Sequence, residues 1–299
     1  MKKAIIAIVA IIILIAGYFL VMKFLLGNDA APVEEQNPTA SVTPTPSATP
    51  ANSEKTVLGN SVQNRPINAY HYGTGSKEVV FIGGMHAGYS WNTSLVAFEL
   101  MDYLKANPSV IPAGVKVTVI PVVNPDGLNK VTGKSERFTA ADVSNDDAVV
   151  VSGRFNANNV DLNRNFDCDW KSSGVWQSRT VSGGTKAFSE PETQAIKTYV
   201  ESKKPSAVVT WYSAAGGVFA SNCHTGILPE TKELVSTYAK ASGYPAREVF
   251  DYYAVTGDMV NWLAKNNIPA ISVLLTNHGD TEWTKNKAGI EAILKLQAE

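Results

Sequence analysis

The stretch GRFNANNVDLNRNFDCDW, residues 153–170, is where the reading of this chain starts. Asn163 and Arg164 stand side by side in it. An arginine guanidinium is a planar fork that donates two parallel hydrogen bonds to a carboxylate, and a neighbouring amide supplies a further donor. The pair therefore suits a grip on a free carboxylate. Taken alone, it is equally a loop whose arginine forms a local salt bridge.

Other segments separate the two readings. The chain carries FIGGMHAGYSWNT at 81–93, NPDG at 124–127, FSEPET at 188–193, SAAGG at 213–217, YAVTGDMVNW at 253–262 and LLTNHGDTEW at 274–283. In this order they resemble the zinc metallocarboxypeptidases of the carboxypeptidase A family, over nearly all of residues 56–299. The resemblance implies an α/β fold: a three-layer α/β/α sandwich around a mixed sheet of about eight strands, with a metal near the centre of the sheet.

The residue pattern points the same way. Apolar runs at 78–83, 115–123, 207–211 and 270–275 read as buried strands. Stretches with helical spacing of apolar residues lie at 93–105, 191–202, 231–242, 255–266 and 283–297. NPDG reads as a turn closing its strand. Strands separated by helices indicate an α/β domain whose site lies at strand ends.

The N-terminus has a different composition. Residues 1–27 begin with Lys2 and Lys3 and continue as an apolar run long enough for a helix across about 30 Å of hydrocarbon. They are expected to be an uncleaved signal anchor, a single transmembrane helix with a cytoplasmic start. A cleaved signal peptide is the rival reading, although its apolar core is ordinarily shorter. Residues 28–55 are rich in Pro, Thr, Ser and Ala and read as a semi-extended linker. Residues 56–299 then form an extracytoplasmic domain at the cell membrane. With 26 Lys and Arg against 27 Asp and Glu, and no basic cluster, nothing favours nucleic acid as a partner. Cys168 and Cys223 are the two cysteines; in an exported domain they are expected to pair, the alternative being two separate buried thiols.

Zinc-assisted peptide hydrolysis needs three protein ligands, an open position whose water acidifies to a pKa of about 7, and a general base. The resemblance implies His86, in GGMHAG, as the first metal ligand. The second ligand position falls on Ser90, the third on Tyr212, and that of the catalytic glutamate on Leu274. A complete structural zinc site is worth about 10–16 kcal/mol, so one imidazole supplies roughly 3–4 kcal/mol, a dissociation constant near millimolar. Zinc is the cofactor the resemblance implies, and this residue set is expected to hold it weakly or not at all. His224, His278 and Glu282 are the remaining candidates for a substitute ligand set.

The carboxylate grip is more complete. By resemblance, Asn163 and Arg164 bind a peptide's terminal carboxylate, Tyr253 closes over it, Arg154 polarises the scissile carbonyl, and Val260 lines the side-chain pocket with Asp258 nearby. The leading expectation is a membrane-anchored, catalytically impaired carboxypeptidase-like domain that binds peptides with a free C-terminus, cell-wall stem peptides among them. One alternative is an active zinc metallocarboxypeptidase with an atypical ligand set. Another is a structural or partner-binding surface module with a vestigial cleft.

Overall fold

The computed structural model describes residues 54–299. The expected membrane span at 1–27 and the linker up to residue 53 lie outside the described residues. Among the described residues no helix is long and apolar enough to cross a membrane.

Among the described residues ten strands occur in chain order: β1 (Glu54–Asn60), β2 (Pro66–Tyr72), β3 (Lys77–Ile82), β4 (Val115–Ile120), β5 (Ser173–Trp176), β6 (Arg179–Ser182), β7 (Ala207–Ser213), β8 (Gly217–Ala220), β9 (Ala246–Arg247) and β10 (Ala270–Leu275). Eight of them form one sheet in the order β1-β2-β4-β3-β7-β10-β8-β9, while β5 and β6 form a separate hairpin. Strands β4, β3, β7 and β10 run parallel at the centre, and antiparallel pairings join β10 to β8 and β2 to its two neighbours, so the sheet is mixed.

The central strands are almost uniformly apolar because both faces of the sheet are covered. Val79 and Phe81 point into a core shared with helices Trp91–Ala106, Pro229–Ser242 and Trp283–Leu296. Val80 and Ile82, one residue out of step, point into a second core built with helices Pro191–Lys203 and Met259–Lys265. The period-two alternation of strand side chains thus divides one sequence run between two layers, giving the expected three-layer sandwich.

Three local expectations need correction. NPDG does not simply close a strand. The Asn124 side chain accepts a hydrogen bond from the Gly127 N–H and Pro125 occupies the first turn, so the segment starts helix Pro125–Thr132. The helix expected over 255–266 is shorter, Met259–Lys265. Gly257 donates its N–H to the Cys168 carbonyl and accepts from the Phe166 N–H, which ties residues before the helix to the loop after Arg164. Its φ is +65°, and a β-carbon there would sit 2.4 Å from the Arg164 carbonyl oxygen, so only glycine fits. Finally, β1, β2, β8 and β9 have no counterpart among the expected elements. Strand β1 is a half-exposed edge strand and β8 and β9 are only four and two residues long, too little for a period-two signal.

Cys168 and Cys223 are joined as a disulfide with a sequence separation of 55. It ties the loop after Arg164 to the segment following β8, and both half-cystines are buried in the second core. In the chain-entropy model such a closure is worth on the order of 4 kcal/mol. Replacing both cysteines by serine is expected to lower stability by about 2–4 kcal/mol in a urea titration, with an earlier midpoint and a steeper slope, because the uncrosslinked unfolded chain exposes more surface.

Candidate functional site

The site is built where strands β3, β7 and β10 end. After β3 the chain turns at His86, whose carbonyl accepts the N–H groups of Tyr89 and Ser90 before helix Trp91–Ala106 begins. The 153–170 stretch reaches this turn through a glycine junction. Gly88 donates its N–H to the Gly153 carbonyl at 3.1 Å, and β-carbons on Gly88 or Gly153 would fall within 2.8 Å of the other's backbone. That close approach delivers Arg154 to His86.

Asp161 organises the polar groups at this junction. It is fully buried and its two oxygens receive four donors: Oδ1 accepts from His86 Nε2 at 2.8 Å and the Asn163 N–H at 3.1 Å, and Oδ2 accepts from Arg154 Nε at 3.0 Å and Nη2 at 2.8 Å. Burial alone would raise its pKa, but the Arg154 guanidinium, His86 and Arg164 overcome this and hold it well below the usual carboxylate range. Arg154 Nη1 also stands 3.3 Å from His86 Nδ1. A guanidinium can only donate, so Nδ1 accepts and Nε2 carries the imidazole proton. Burial and the Arg154 charge push the His86 pKa down to about 4, leaving it neutral. Arg154 is further enclosed by aromatic rings, with Trp176 at 4.3 Å and Tyr89 at 5.9 Å from its guanidinium carbon.

Arg164 is buried too, but differently supplied. Two of its five N–H groups go to carbonyls, Nη1 to Asn163 at 2.8 Å and Nη2 to Val175 of β5 at 2.9 Å, while Nε is buried without a partner. Gly174 of the β5–β6 hairpin lies against its stem, since a β-carbon there would be 3.0 Å from Arg164 Cδ. Among the described residues Arg164 forms no ion pair. Asn163 Oδ1 accepts from the Tyr212 hydroxyl at 3.0 Å and the Met259 N–H at 3.1 Å.

These groups line one cavity of about 270 Å³. His86, Arg154, Asn163, Arg164, Tyr212, Tyr253, Val260 and Leu274 are all on its wall, so the sequence-derived site residues converge, with Ser90 outside it. The Tyr253 ring lies 5.8 Å from the Arg164 guanidinium carbon and packs on Phe250 at 5.0 Å. Leu274 and Tyr212 are register partners across β10 and β7. Asp258 also lines the cavity and its Oδ1 is buried without a hydrogen-bond partner. Burial raises its pKa to about 6, against the opposing pull of Arg164 and Asn261.

The residues present do not assemble a three-ligand zinc site. His86 has its one lone pair directed at the Arg154 cation, the Tyr212 hydroxyl is directed at Asn163, Leu274 has no donor, and the Ser90 hydroxyl is buried without a partner. Nor do the substitute candidates converge: His224 is exposed and bonded to Asp169, Glu282 accepts from the Thr276 N–H and Lys285, and His278 packs against Tyr89 with ring centroids 4.4 Å apart at a 55° tilt. Among the described residues no group of three or more His, Cys, Asp or Glu side chains could hold a metal ion. The sequence reading missed Asp161, which lies two residues before Asn163 in the 153–170 stretch. The signal available was an acidic residue beside two arginines in a run destined for burial.

Comparison with known proteins places these features in context. A family model described as zinc carboxypeptidase matches residues 45–293. The chain is 27% identical over 218 residues to gamma-D-glutamyl-L-diamino acid endopeptidase 1 of Lysinibacillus sphaericus, covering 67% of this chain and 55% of that protein. It is 28% identical over 172 residues to carboxypeptidase A2 of Rattus norvegicus, covering 53% of this chain and 39% of that one. It therefore spans about half the length, or less, of these relatives. Among solved structures, murein-tripeptide amidase MpaA from Escherichia coli O157 superposes with a TM-score of 0.57 at 21% identity, over 82% of this chain and 92% of that one. At that identity the likeness speaks for the fold alone.

Asp258 gives a pH prediction. Its pKa rises from 3.8 to about 6 on folding, so the folded state holds the proton more tightly. Stability from this group is fully present below 3.8 and is lost as pH rises through about 6. The change is at most roughly 3 kcal/mol by the linkage relation. Asp258→Asn is expected to flatten that part of the stability curve in denaturant titrations between pH 4 and 7, and to exceed the parent at the alkaline end.

Proposed function

The chain belongs to the zinc carboxypeptidase family, whose members act on peptides with a free C-terminus, and we propose that this one binds such peptides without ordinary zinc catalysis. The observation that carries the proposal is the contrast between two buried arginines. Arg154 is neutralised by Asp161, whereas Arg164 forms no ion pair among the described residues, and the Asp258 carboxyl that feels its charge in the same cavity is pushed by burial toward the neutral form. A buried cation lacking a counter-ion is costly, and a ligand carboxylate supplies one. Asn163 adds amide donors, Tyr253 flanks the guanidinium, and Val260 and Leu274 give an apolar wall for the terminal side chain.

Catalysis is expected to be impaired because no side chain at the Leu274 position can take a proton from water and a cation faces the one retained imidazole. On this reading Arg154 acts as a fixed wall of the cavity rather than as a free polariser of a carbonyl. The domain is proposed to work outside the cell, held at the membrane by residues 1–27 through the linker at 28–55. The relative named for gamma-D-glutamyl-L-diamino acid substrates makes cell-wall stem peptides the favoured ligands.

A second reading, an active zinc enzyme with an atypical ligand set, draws on one observation. The Asp161–His86 pair has the carboxylate–histidine arrangement that orients metal ligands in many sites. Two measurements separate the readings. Elemental analysis of the purified chain is expected to find far less than one zinc per molecule, and stoichiometric zinc with chelator-sensitive release of C-terminal residues would favour the second. Calorimetry with short peptides is expected to show binding of free acids but not of C-terminal amides, and Arg164→Ala should weaken binding by about 2–5 kcal/mol. Equal affinity for acid and amide would remove the proposal, and an unchanged Arg164→Ala variant would leave only a vestigial cleft.

A further inference from the structure

Tyr212 stands at a metal ligand's position by resemblance, yet its hydroxyl bonds to a neighbouring amide. The Met259 N–H can only donate, so the atom of Asn163 it meets at 3.1 Å must be the amide oxygen. The Tyr212 hydroxyl, 3.0 Å from the same oxygen, is then a second donor to it. Both lone pairs of the amide oxygen are occupied, and the NH2 group is the part of Asn163 left with hydrogens to give. Asn163 lines the cavity beside Arg164, whose own unpartnered Nε is buried there.

We propose that Tyr212 is a positioning residue of the carboxylate grip: its hydroxyl fixes the Asn163 amide so that the NH2 group, and not the carbonyl, meets the ligand's carboxylate. The inference rests on the proposed binding of peptide carboxylates. A free amide could turn its oxygen toward the ligand and repel it, whereas an amide held by two donors is ordered before the ligand arrives. The phenol is itself well held. Its residue is almost fully buried, its ring lies 6.0 Å from that of His86, and its backbone is paired with Leu274 in the middle of the sheet. Burial, reinforced by Asp258 and Asp161, keeps its pKa well above 10, so it remains a donor at any physiological pH. A histidine at this position would end short of the Asn163 oxygen that the longer phenol reaches. The exchange of a metal ligand for tyrosine thus serves the part of the site that is retained.

The test is a double-mutant cycle on the full chain, titrated with N-acetylalanylphenylalanine and with its C-terminal amide. Tyr212→Phe is expected to weaken binding of the acid by about three- to tenfold, the size of one neutral hydrogen bond, and to leave the amide unchanged. Asn163→Ala should weaken the acid at least as much, and adding Tyr212→Phe to it should change nothing further. Parental affinity in Tyr212→Phe, or losses that multiply in the double variant, would overturn the positioning role while sparing the carboxylate reading. A parent that binds acid and amide alike would overturn both. Circular dichroism checks that Tyr212→Phe folds; if it does not, the parent's Asn163 side-chain NH2 resonances decide instead. They are expected to shift on adding the acid and not the amide, and their failure to move with the acid overturns the inference.

Discussion

A buried carboxylate must find donors for its lone pairs and a cation for its charge, and in this chain Asp161 finds both in the same few ångströms. Its oxygens take His86, Arg154 and the backbone of Asn163, which come from the end of β3 and from two points in the loop after Gly153. Removing that carboxylate would leave Arg154 buried with no counter-ion and His86 with no orientation. The site's geometry therefore depends on one residue that touches neither the carboxylate grip's guanidinium nor the open part of the cavity.

The pairing also divides labour between two arginines that look interchangeable in a sequence. Arg154 is enclosed by Asp161, His86, Trp176 and Tyr89, so its charge is compensated within the fold. Arg164, ten positions later, is braced by two carbonyls and by the close approach of Gly174, neither of which neutralises a cation. Under the proposed binding role, fixed donors around a cation that forms no ion pair among the described residues preorganise an anion receptor, because little side-chain entropy remains to be lost on binding. Asp258 complicates this arrangement, since its ionisation places a competing negative charge in the same cavity.

The positions that the family resemblance assigns to metal chemistry are not equivalent either. Leu274 and Tyr212 are neighbours across the central strands and share an apolar cluster, so exchange for an apolar or aromatic residue there adds to the core. Ser90 keeps a buried hydroxyl without a partner, for which the fold offers no compensation. His86 survives with both ring nitrogens engaged inside the protein. Around His86 the described residues form a hydrogen-bonded network whose cation is an arginine side chain.

The central sheet was legible because parallel strands buried on both faces leave unbroken apolar runs, and β3, β7 and β10 carry them. The edge strand β1 and the short β8 and β9 were not, since too few of their residues are buried, or present at all, to form a pattern. Gly257 shows the same limit at a helix start: apolar spacing extended the helix to 255, and only the hydrogen bonds of Gly257 with Phe166 and Cys168 reveal why it starts at 259. The sequence by itself determined the layer architecture and the absence of a glutamate at position 274, because periodicity and residue type are local properties, while the residues expected around the cavity came from the family resemblance. Only the tertiary structure decided which arginine is neutralised, which way the Asn163 amide faces and where the Tyr212 hydroxyl points. Those depend on partners 7 to 96 residues away, and a hydrogen bond is fixed by distance in space rather than along the chain.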